Sequence, residues 1–499
     1  MFVVSSNWNH VLPIMTGTEP NSTHSKGIHR AFVLFTAAIS AILLLPDLLK
    51  EGLFVDGLLY STLAHNLATG QGTFWFPSLS ETIYLFFHEH PPLAFGIQSL
   101  IYRIFGDGFY LDKIYSLLTY IGTATLIAML WKRLPIAAQC ARMYWLPILF
   151  FIIMPVSHWS YKSNMLENTM GLFSLYAVFL IYISIKQIKT KKLSLIALSA
   201  LLICCAFFSK GFPGLYPLAF FFLYWLVFLR EYPFQRMVID SVLLLFCTGL
   251  SFTLLFALND GAYAGTWAYI ETQVLSSLEG KRIVVESRWH IMWALFIQLV
   301  VLILLVLILL IVRFKTAVIQ KAFRKPESQY FLLFALVGLS ASAPIMVSPK
   351  QLSFYIMPAL PVFSIAFAVI SAPAVSDFLQ KIRIRSIGFR LFQAVGIGLL
   401  ATALVLCVVG FGTYGRNKAE LHDIDIIGEL LQPGITISAS PGLNDDWGAV
   451  SYFQRKFDIN LERSVGNNLH LLMMAGEELP ENFTEVELEL KKYKLAIHQ

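Results

Sequence analysis

The residues best suited to chemistry lie in one polar loop, residues 50–112, which follows the first apolar stretch of the chain. Asp56 opens the run Asp-Gly-Leu-Leu-Tyr, and a second run, His-Glu-His-Pro-Pro-Leu, occupies residues 88–93. A carboxylate such as that of Asp56 can act as a general base toward a hydroxyl group. The two prolines lock φ and should hold the second run in a rigid turn. This loop is therefore the first candidate for an active site.

The histidines of the second run raise the question of a metal. In an extended segment, His88 and His90 would point to the same side, as two metal ligands can. No third or fourth ligand follows nearby in the sequence, and His158 or His290 would have to come from remote loops. We therefore predict neither a metal centre nor a cofactor.

The composition indicates that such loops connect membrane spans. The chain of 499 residues is 57% apolar and 14% charged, with a mean hydropathy of +0.67, far above that of soluble globular proteins. Its net charge of +6 falls mostly in loops on one side of the predicted membrane, so it does not indicate nucleic-acid binding. We predict an all-α polytopic protein of the lipid bilayer.

Eleven apolar windows are long enough to cross a bilayer core of about 30 Å. They are residues 31–49, 114–131, 143–157, 168–185, 193–208, 213–229, 238–257, 291–312, 329–346, 353–372 and 391–411. Because eleven is odd, the N-terminal segment 1–30 and the tail 412–499 should lie on opposite sides. Twenty of the 37 Lys and Arg residues fall on the N-terminal side, against nine in the opposite loops and eight in the tail. The positive-inside rule then places residues 1–30 in the cytoplasm, and the loops 50–112 and 259–290 and the tail outside.

Two short pieces of the first loop should form helices along the membrane surface. Leu58, Leu59, Leu63 and Leu67 recur at helical spacing, and residues 91–105 form an apolar piece too short to span. These helices would carry the two runs described above.

The tail, residues 412–499, differs from the rest in composition. Residues 435–438, 469–473 and 493–497 are strand-like, and residues 447–457 are helix-like. Strands alternating with a helix predict a small α/β domain, which the charge distribution places outside the cell membrane.

Four pieces of sequence, between the first span and about Pro361, carry a family resemblance. They are Asp56 with Tyr60 and Gly70; residues 90–93 with Phe105 and Gly106; Ser209-Lys210-Gly211 with Pro217; and Lys350 with Tyr355 and Pro358. In this order they resemble the GT-C superfamily of membrane glycosyltransferases, in the branch of protein O-mannosyltransferases and lipid A aminoarabinose transferases. The resemblance implies a GT-C-like transmembrane domain over residues 31–411.

The resemblance further implies transfer of a sugar from a polyprenyl-phosphate donor to a hydroxyl acceptor on protein, lipid A or a surface glycan. Asp56 would be the base, and one displacement would invert the anomeric configuration. Glu167 lies roughly where relatives carry an acid, and would assist catalysis. The expected substrate-binding residues are Tyr60, Glu89, His90, Lys210, Arg282, Arg288, Lys350 and Tyr355. Where relatives often have a second acid beside the first, this chain has Gly57.

Simpler roles are open for the same residues. Asp56 could cap the helix that follows, Glu167 could favour a helix start, and Lys210 could snorkel to the interface. The two arginines could pair with neighbouring glutamates. A transporter or flippase of lipid-linked sugar would also place charges along a path through the membrane. Such a protein would move sugar without transferring it.

Overall fold

A computed structural model describes residues 22–279, 285–312, 325–465 and 468–499. Up to Val409 these residues are mainly helical. The helices are α1 Ser22–Leu44, α2 Val55–Thr69, α3 Leu93–Phe105, α4 Leu111–Trp131, α5 Trp145–Ile153, α6 Pro155–Lys162, α7 Leu166–Ser184, α8 Lys189–Lys210, α9 Phe220–Val227, α10 Phe234–Leu258, α11 Asp260–Tyr269, α12 Ser276–Leu278, α13 His290–Val312, α14 Lys325–Ser342, α15 Leu360–Gln380 and α16 Ile387–Val409. Short 3-10 segments lie at Leu45–Asp47, Ala138–Cys140, Phe212–Ala219, Ala343–Val347 and Ser353–Ala359, and Ile270–Leu275 is a π-helical turn.

Nine helices of the described ranges are long and apolar enough to cross a membrane. They coincide with nine of the eleven windows predicted from the sequence, the first at Ser25–Asp47 and the last at Ile387–Val409. The predicted all-α polytopic architecture is confirmed.

The window 143–157 is a broken helix. α5 and α6 meet at Met154, which is extended with a ψ of 126°, because proline disfavours a helical conformation in the residue before it and α6 starts with Pro155. Trp145 stacks on Phe32, near the middle of α1, at 4.6 Å between ring centroids. Lys162 pairs with Asp47, beyond the end of α1, at 3.1 Å. Trp145 also contacts His29, so the two pieces together run along α1 from His29 to beyond its end.

The window 213–229 is broken as well. Gly211 leaves α8 with a φ of +99°, and the chain then winds through the 3-10 segment Phe212–Ala219 before α9. Two prolines in that segment lack the N–H groups that a regular helix needs. Gln329, near the start of α14, donates to the Val227 carbonyl at 3.3 Å. This segment too reaches from one end of the bundle to the other.

The described bundle thus contains nine continuous candidate spans and two broken helical segments beside them. α1 and α16 run side by side in the same direction, with the rings of Phe32 and Phe392 in contact in the first halves of the two helices, at 4.8 Å between centroids. Just beyond their ends, Gly412 donates to the Leu49 carbonyl at 3.1 Å. The first loop and the tail therefore meet at one end of the bundle, which we call the loop end.

The tail folds as the predicted α/β unit. Its elements are α17 Lys418–Leu430, β1 Thr436–Ala439, a 3-10 turn Pro441–Leu443, α18 Trp447–Phe457, β2 Asn460–Glu462, β3 His470–Met474, β4 Phe483–Glu485 and β5 Tyr493–His498. The strand order is β2-β1-β3-β5-β4. β1 pairs in parallel with β2 and β3, and β5 pairs antiparallel with β3 and β4.

α2 differs from the surface helix expected from its leucine spacing. Its polar residues Ser61, Thr62 and Asn66 are buried as well as its leucines, because α18 of the tail packs against it. One hydrophobic core joins Leu58 of α2 to Phe453 of α18. The helix that carries Asp56 is therefore part of the interior of the loop end.

Candidate active site

Asp56 lies in the first turn of α2 and is half-buried. Its carboxylate makes no hydrogen bond or ion pair with another residue of the described ranges. Burial raises the pKa of Asp56, the positive charges of Lys210 and Lys350 act to lower it, and the charge of Glu89 raises it. Asp56 is thus a carboxylate that lies near cations and has no hydrogen-bond or ion-pair partner among the described residues.

Lys210, the last residue of α8, forms a buried ion pair with Glu167 in the first turn of α7. The Lys210 Nζ to Glu167 Oε1 distance is 2.5 Å, and the side chains are 6% and 0% exposed. The pair lacks the alignment of a good hydrogen bond, and no other described residue hydrogen-bonds to these charged atoms. A buried ion pair is stable only when its remaining donors and acceptors are satisfied. The ammonium therefore keeps donors for a second anion.

Three aromatic rings surround the Lys210 ammonium. The ring centroids of Tyr60, Phe354 and Tyr355 lie 5.9, 5.6 and 5.0 Å from its nitrogen. Aromatic faces attract a cation without neutralising it. Burial raises the pKa of Tyr60, and the nearby carboxylate charges raise it further, so its hydroxyl stays protonated and can donate a hydrogen bond.

Gly211 is required immediately after this lysine. Its φ of +99° is unfavourable for other residues, and an added Cβ would lie 1.9 Å from the Tyr269 hydroxyl oxygen. The turn that ends α8 thereby lets Tyr269 of α11 pack against Gly211. The Lys-Gly pair acts as one structural unit.

The run 88–93, in the first loop, lies close to Lys210 and Lys350. The Glu89 Oε2 atom lies 4.0 Å from the Lys350 Nζ, and Tyr84 donates its hydroxyl hydrogen to Glu89 Oε1 at 3.0 Å. The His90 ring meets the Tyr60 ring edge to face, at 5.7 Å between centroids. Residues that are remote in the sequence thus meet around Lys210.

A cavity of about 690 Å³ opens beside this cluster. Five of the residues predicted from the sequence line it, namely His90, Glu167, Lys210, Lys350 and Tyr355. Most of the remaining wall is apolar and comes from the broken passage Phe212–Ala219 and from Ala343–Val347. Asp56, Tyr60 and Glu89 adjoin the charged residues but do not form its wall. The cavity is therefore charged at one end and apolar over most of its wall.

Sequence reasoning missed six polar residues of the wall. They are Tyr216, Tyr269, Gln273, Ser277, Ser340 and Ser348. The Tyr216 hydroxyl is buried and has no hydrogen-bond partner in the described ranges. For Tyr216 alone, the prolines within the window 213–229 were an available signal, because a broken span exposes backbone and side chains to a cavity.

The two predicted arginines have different outcomes. Arg288 is exposed, and its guanidinium donates to the carbonyl of Val347, a residue of the cavity wall. It therefore stands at the rim of the cavity. Arg282 lies outside the described residues.

The glycine that follows Asp56 has a steric explanation. A Cβ on Gly57 would lie 1.7 Å from the Ser163 carbonyl oxygen, and Asn164 donates to the Gly57 carbonyl at 3.2 Å. α2 therefore packs directly on the backbone between α6 and α7. No side chain fits at position 57.

We expect Gly57→Ala to destabilise the protein by about 1–3 kcal/mol or more, because two backbones would have to separate to admit the methyl group. Thermal unfolding in detergent measures this effect. The matched control is Gly249→Ala in α10, where an added Cβ would meet nothing within 4 Å. Equal stabilities of the two variants would contradict the close packing of α2.

In the described ranges, no group of three or more His, Cys, Asp or Glu side chains is arranged to hold a metal ion. The predicted independence from a metal remains a prediction.

The bundle with its broken passages, the α/β tail and the cavity at the loop end together define the class of fold, which is that of the GT-C membrane proteins. Among solved structures, the protein is similar to ArnT from Cupriavidus metallidurans in the apo state. The TM-score is 0.63 at 14% sequence identity, over 93% of this chain and 97% of that chain. ArnT bound to undecaprenyl phosphate gives a TM-score of 0.61 at 12% identity, over the same 93% and 97%. This likeness confirms the fold predicted from the four motif pieces. No protein-family model matches the sequence, and no curated protein matches it.

Proposed function

We propose that this protein is an inverting glycosyltransferase that moves a sugar from a polyprenyl-phosphate donor to a hydroxyl acceptor. The observation that carries the proposal is the cavity of about 690 Å³, whose apolar walls end at Lys210, while Asp56 lies beside that lysine without a partner among the described residues. This volume is in the usual range of about 300–1,000 Å³ for small-molecule sites.

The donor would bind with its prenyl chain along the apolar wall and its phosphate at Lys210. The unfilled donors of Lys210 suit an anion, and Lys350 and the rim residue Arg288 supply further positive charge. Binding of undecaprenyl phosphate by the ArnT structure of the same fold supports this class of donor. Tyr60 and Tyr355 would hold the lysine in place through their rings.

Transfer would take place in one displacement. Asp56 removes the proton of the acceptor hydroxyl, whose oxygen attacks the anomeric carbon of the sugar. The bond from that carbon to the phosphate oxygen breaks, and the phosphate leaves with the bonding electrons. Because a phosphate leaving group needs charge stabilisation more than a proton, cations serve where a hydrolase would use a second carboxylic acid.

The other predicted site residues would assist these two tasks. Glu167 serves as the buried counter-ion of Lys210, and the charge of Asp56 lies within its electrostatic reach. Glu89, held by Tyr84 and Lys350, and His90, in the cavity wall, would contact the sugar or the phosphate. The charge distribution of the loops supports an outer-face reaction in the cell, or inner, membrane.

The proposal is tested with purified protein, membrane extract as acceptor, and a panel of radiolabelled polyprenyl-phosphate sugars. Transfer of label from one donor to an acceptor, with inversion at the anomeric carbon, is the expected result. Correctly folded protein that transfers label from no donor of the panel would overturn the proposal.

The pH dependence of transfer should report on Asp56. Since burial raises its pKa, Asp56 becomes protonated, and inactive as a base, at a higher pH than an exposed aspartate with a pKa of about 3.9. Lys350→Gln removes a charge that lowers this pKa, so the acidic limb of the profile should move to higher pH. The measurement is kcat/KM against pH for both proteins. A limb that stays in place or moves to lower pH contradicts the assignment.

A further inference from the structure

A buried polar network lies behind Asp56, away from the large cavity. Its centre is Asp112 in the first turn of α4, which is 4% exposed. The Asp112 Oδ1 atom accepts hydrogen bonds from the Ser61 hydroxyl and the Gln98 amide, each at 2.8 Å, and from the Tyr102 hydroxyl. One carboxylate oxygen thereby joins α2, α3 and α4.

The network continues to the backbone next to Asp56. The Gln98 Oε1 atom accepts from the Asn164 amide at 3.2 Å, and the same amide nitrogen donates to the Gly57 carbonyl at 3.2 Å. Gln98 and Asn164 are 2% and 3% exposed. Buried hydrogen bonds of this kind are shielded from competition with water and fix the groups that they join. These hydrogen bonds therefore fix the first turn of α2 on its side away from the large cavity.

The tail supplies the other end of the network. Arg455 of α18 is 7% exposed, and its Nε donates to the Ser61 hydroxyl at 3.3 Å. Its Nη1 pairs with Asp107, which also pairs with His65 of α2 at 3.0 Å. The guanidinium carbon lies 4.8 Å from the centroid of the Tyr102 ring. Arg455 thus contacts α2 at Ser61, about one and a half turns beyond Asp56.

We propose that Arg455 and Asp112 are positioning residues that set the orientation of Asp56, an inference that rests on the proposed function. Neither residue lines the large cavity, so neither contacts the donor there. Both hold Ser61, and Asp112 is linked through Gln98 and Asn164 to the carbonyl next to Asp56. A base displaced by about 1 Å can lose about 10²-fold in rate. The tail domain therefore serves catalysis by holding the base.

The first test measures geometry without any substrate. Hydrogen–deuterium exchange of the full-length protein is compared for wild type, Arg455→Met and the matched control Arg463→Met. Arg463 is an exposed residue of the same domain whose guanidinium lies over the Trp447 ring. We expect exchange in residues 55–62 to become about tenfold faster in Arg455→Met alone, since local opening reports loss of local contacts.

The second test measures transfer with a donor found in the panel. Arg455→Met should lower kcat by about 10- to 100-fold while leaving KM for the donor and binding of undecaprenyl phosphate unchanged. Arg455→Lys, which keeps a charge near Asp107, should regain part of the loss. In an Asp56→Asn background, Arg455→Met should cause no further loss, because the residue acts through Asp56.

Unchanged exchange in residues 55–62 would overturn the inference whether or not the protein is a transferase. Faster exchange throughout the tail and the bundle, or a further loss of rate in the Asp56→Asn background, would assign Arg455 a merely structural role and also overturn it. Asp112→Asn, which preserves the shape of the side chain, must show the same local exchange effect if Arg455→Met fails to fold. If wild type transfers no sugar from any donor, the proposed function fails separately from the exchange result.

Discussion

Replacing Asp56 by Asn should lower the rate of sugar transfer by about 10²- to 10⁴-fold, which is the usual contribution of a positioned general base. The amide keeps the shape of the side chain but cannot accept the acceptor's proton. Because Asp56 makes no hydrogen bond or ion pair with a described residue, its replacement should leave the fold intact. Transfer from the radiolabelled donor is the measurement, with binding of undecaprenyl phosphate as the test of an intact site.

The matched control is Asp47→Asn at the same end of the bundle. Asp47 pairs with Lys50 and Lys162 at 3.3 and 3.1 Å and does not line the large cavity. We expect this variant to keep transfer within a few-fold of wild type, since partly exposed ion pairs contribute about 0–1 kcal/mol. Wild-type transfer by Asp56→Asn would remove Asp56 as the base. Impaired sugar flux without any transfer in wild type would favour the transporter.

Much of the fold could be predicted from the sequence because hydropathy is a local signal. Nine windows became continuous spans, and residues 447–457 became helix α18 over the predicted residues. The strand-like segments at 435–438, 469–473 and 493–497 correspond to β1, β3 and β5. The two broken passages gave the same hydropathy signal as continuous spans, because the prolines that break them are compatible with apolar surroundings. β2 and β4, of three residues each, are too short to give a pattern.

The arrangement of the site, in contrast, could not be predicted from local sequence patterns. Motif order suggested Asp56, His90, Lys210 and Lys350, but no periodicity says which loops meet, and the Glu167–Lys210 pair became apparent only in three dimensions. The burial of the polar face of α2 depends on a tail helix almost four hundred positions away, as does the contact of Arg455 with Ser61. Long-range packing of this kind leaves no local trace in one sequence.

Lys210→Met should have the second large effect, on both binding and stability. The donor phosphate loses the buried cation that the aromatic rings hold in place, so binding of undecaprenyl phosphate and sugar transfer should each fall by at least about 10²-fold. Removing one partner of a buried pair also leaves the Glu167 charge uncompensated, which should destabilise the protein by about 3–5 kcal/mol. Thermal unfolding in detergent and lipid binding measure the two effects.

A double variant separates these two causes. Lys210→Met combined with Glu167→Met removes both buried charges, and replacing a whole buried pair by hydrophobic residues of similar size is often harmless to stability. We expect unfolding near the wild-type temperature, while lipid binding and transfer stay at the level of Lys210→Met. A double variant that regains binding and transfer would show that Lys210 only neutralises Glu167. If the double variant is stable but does not bind the lipid phosphate, Lys210 binds the donor phosphate. The fold would then need neither buried charge, whereas donor binding would need the positive charge of Lys210.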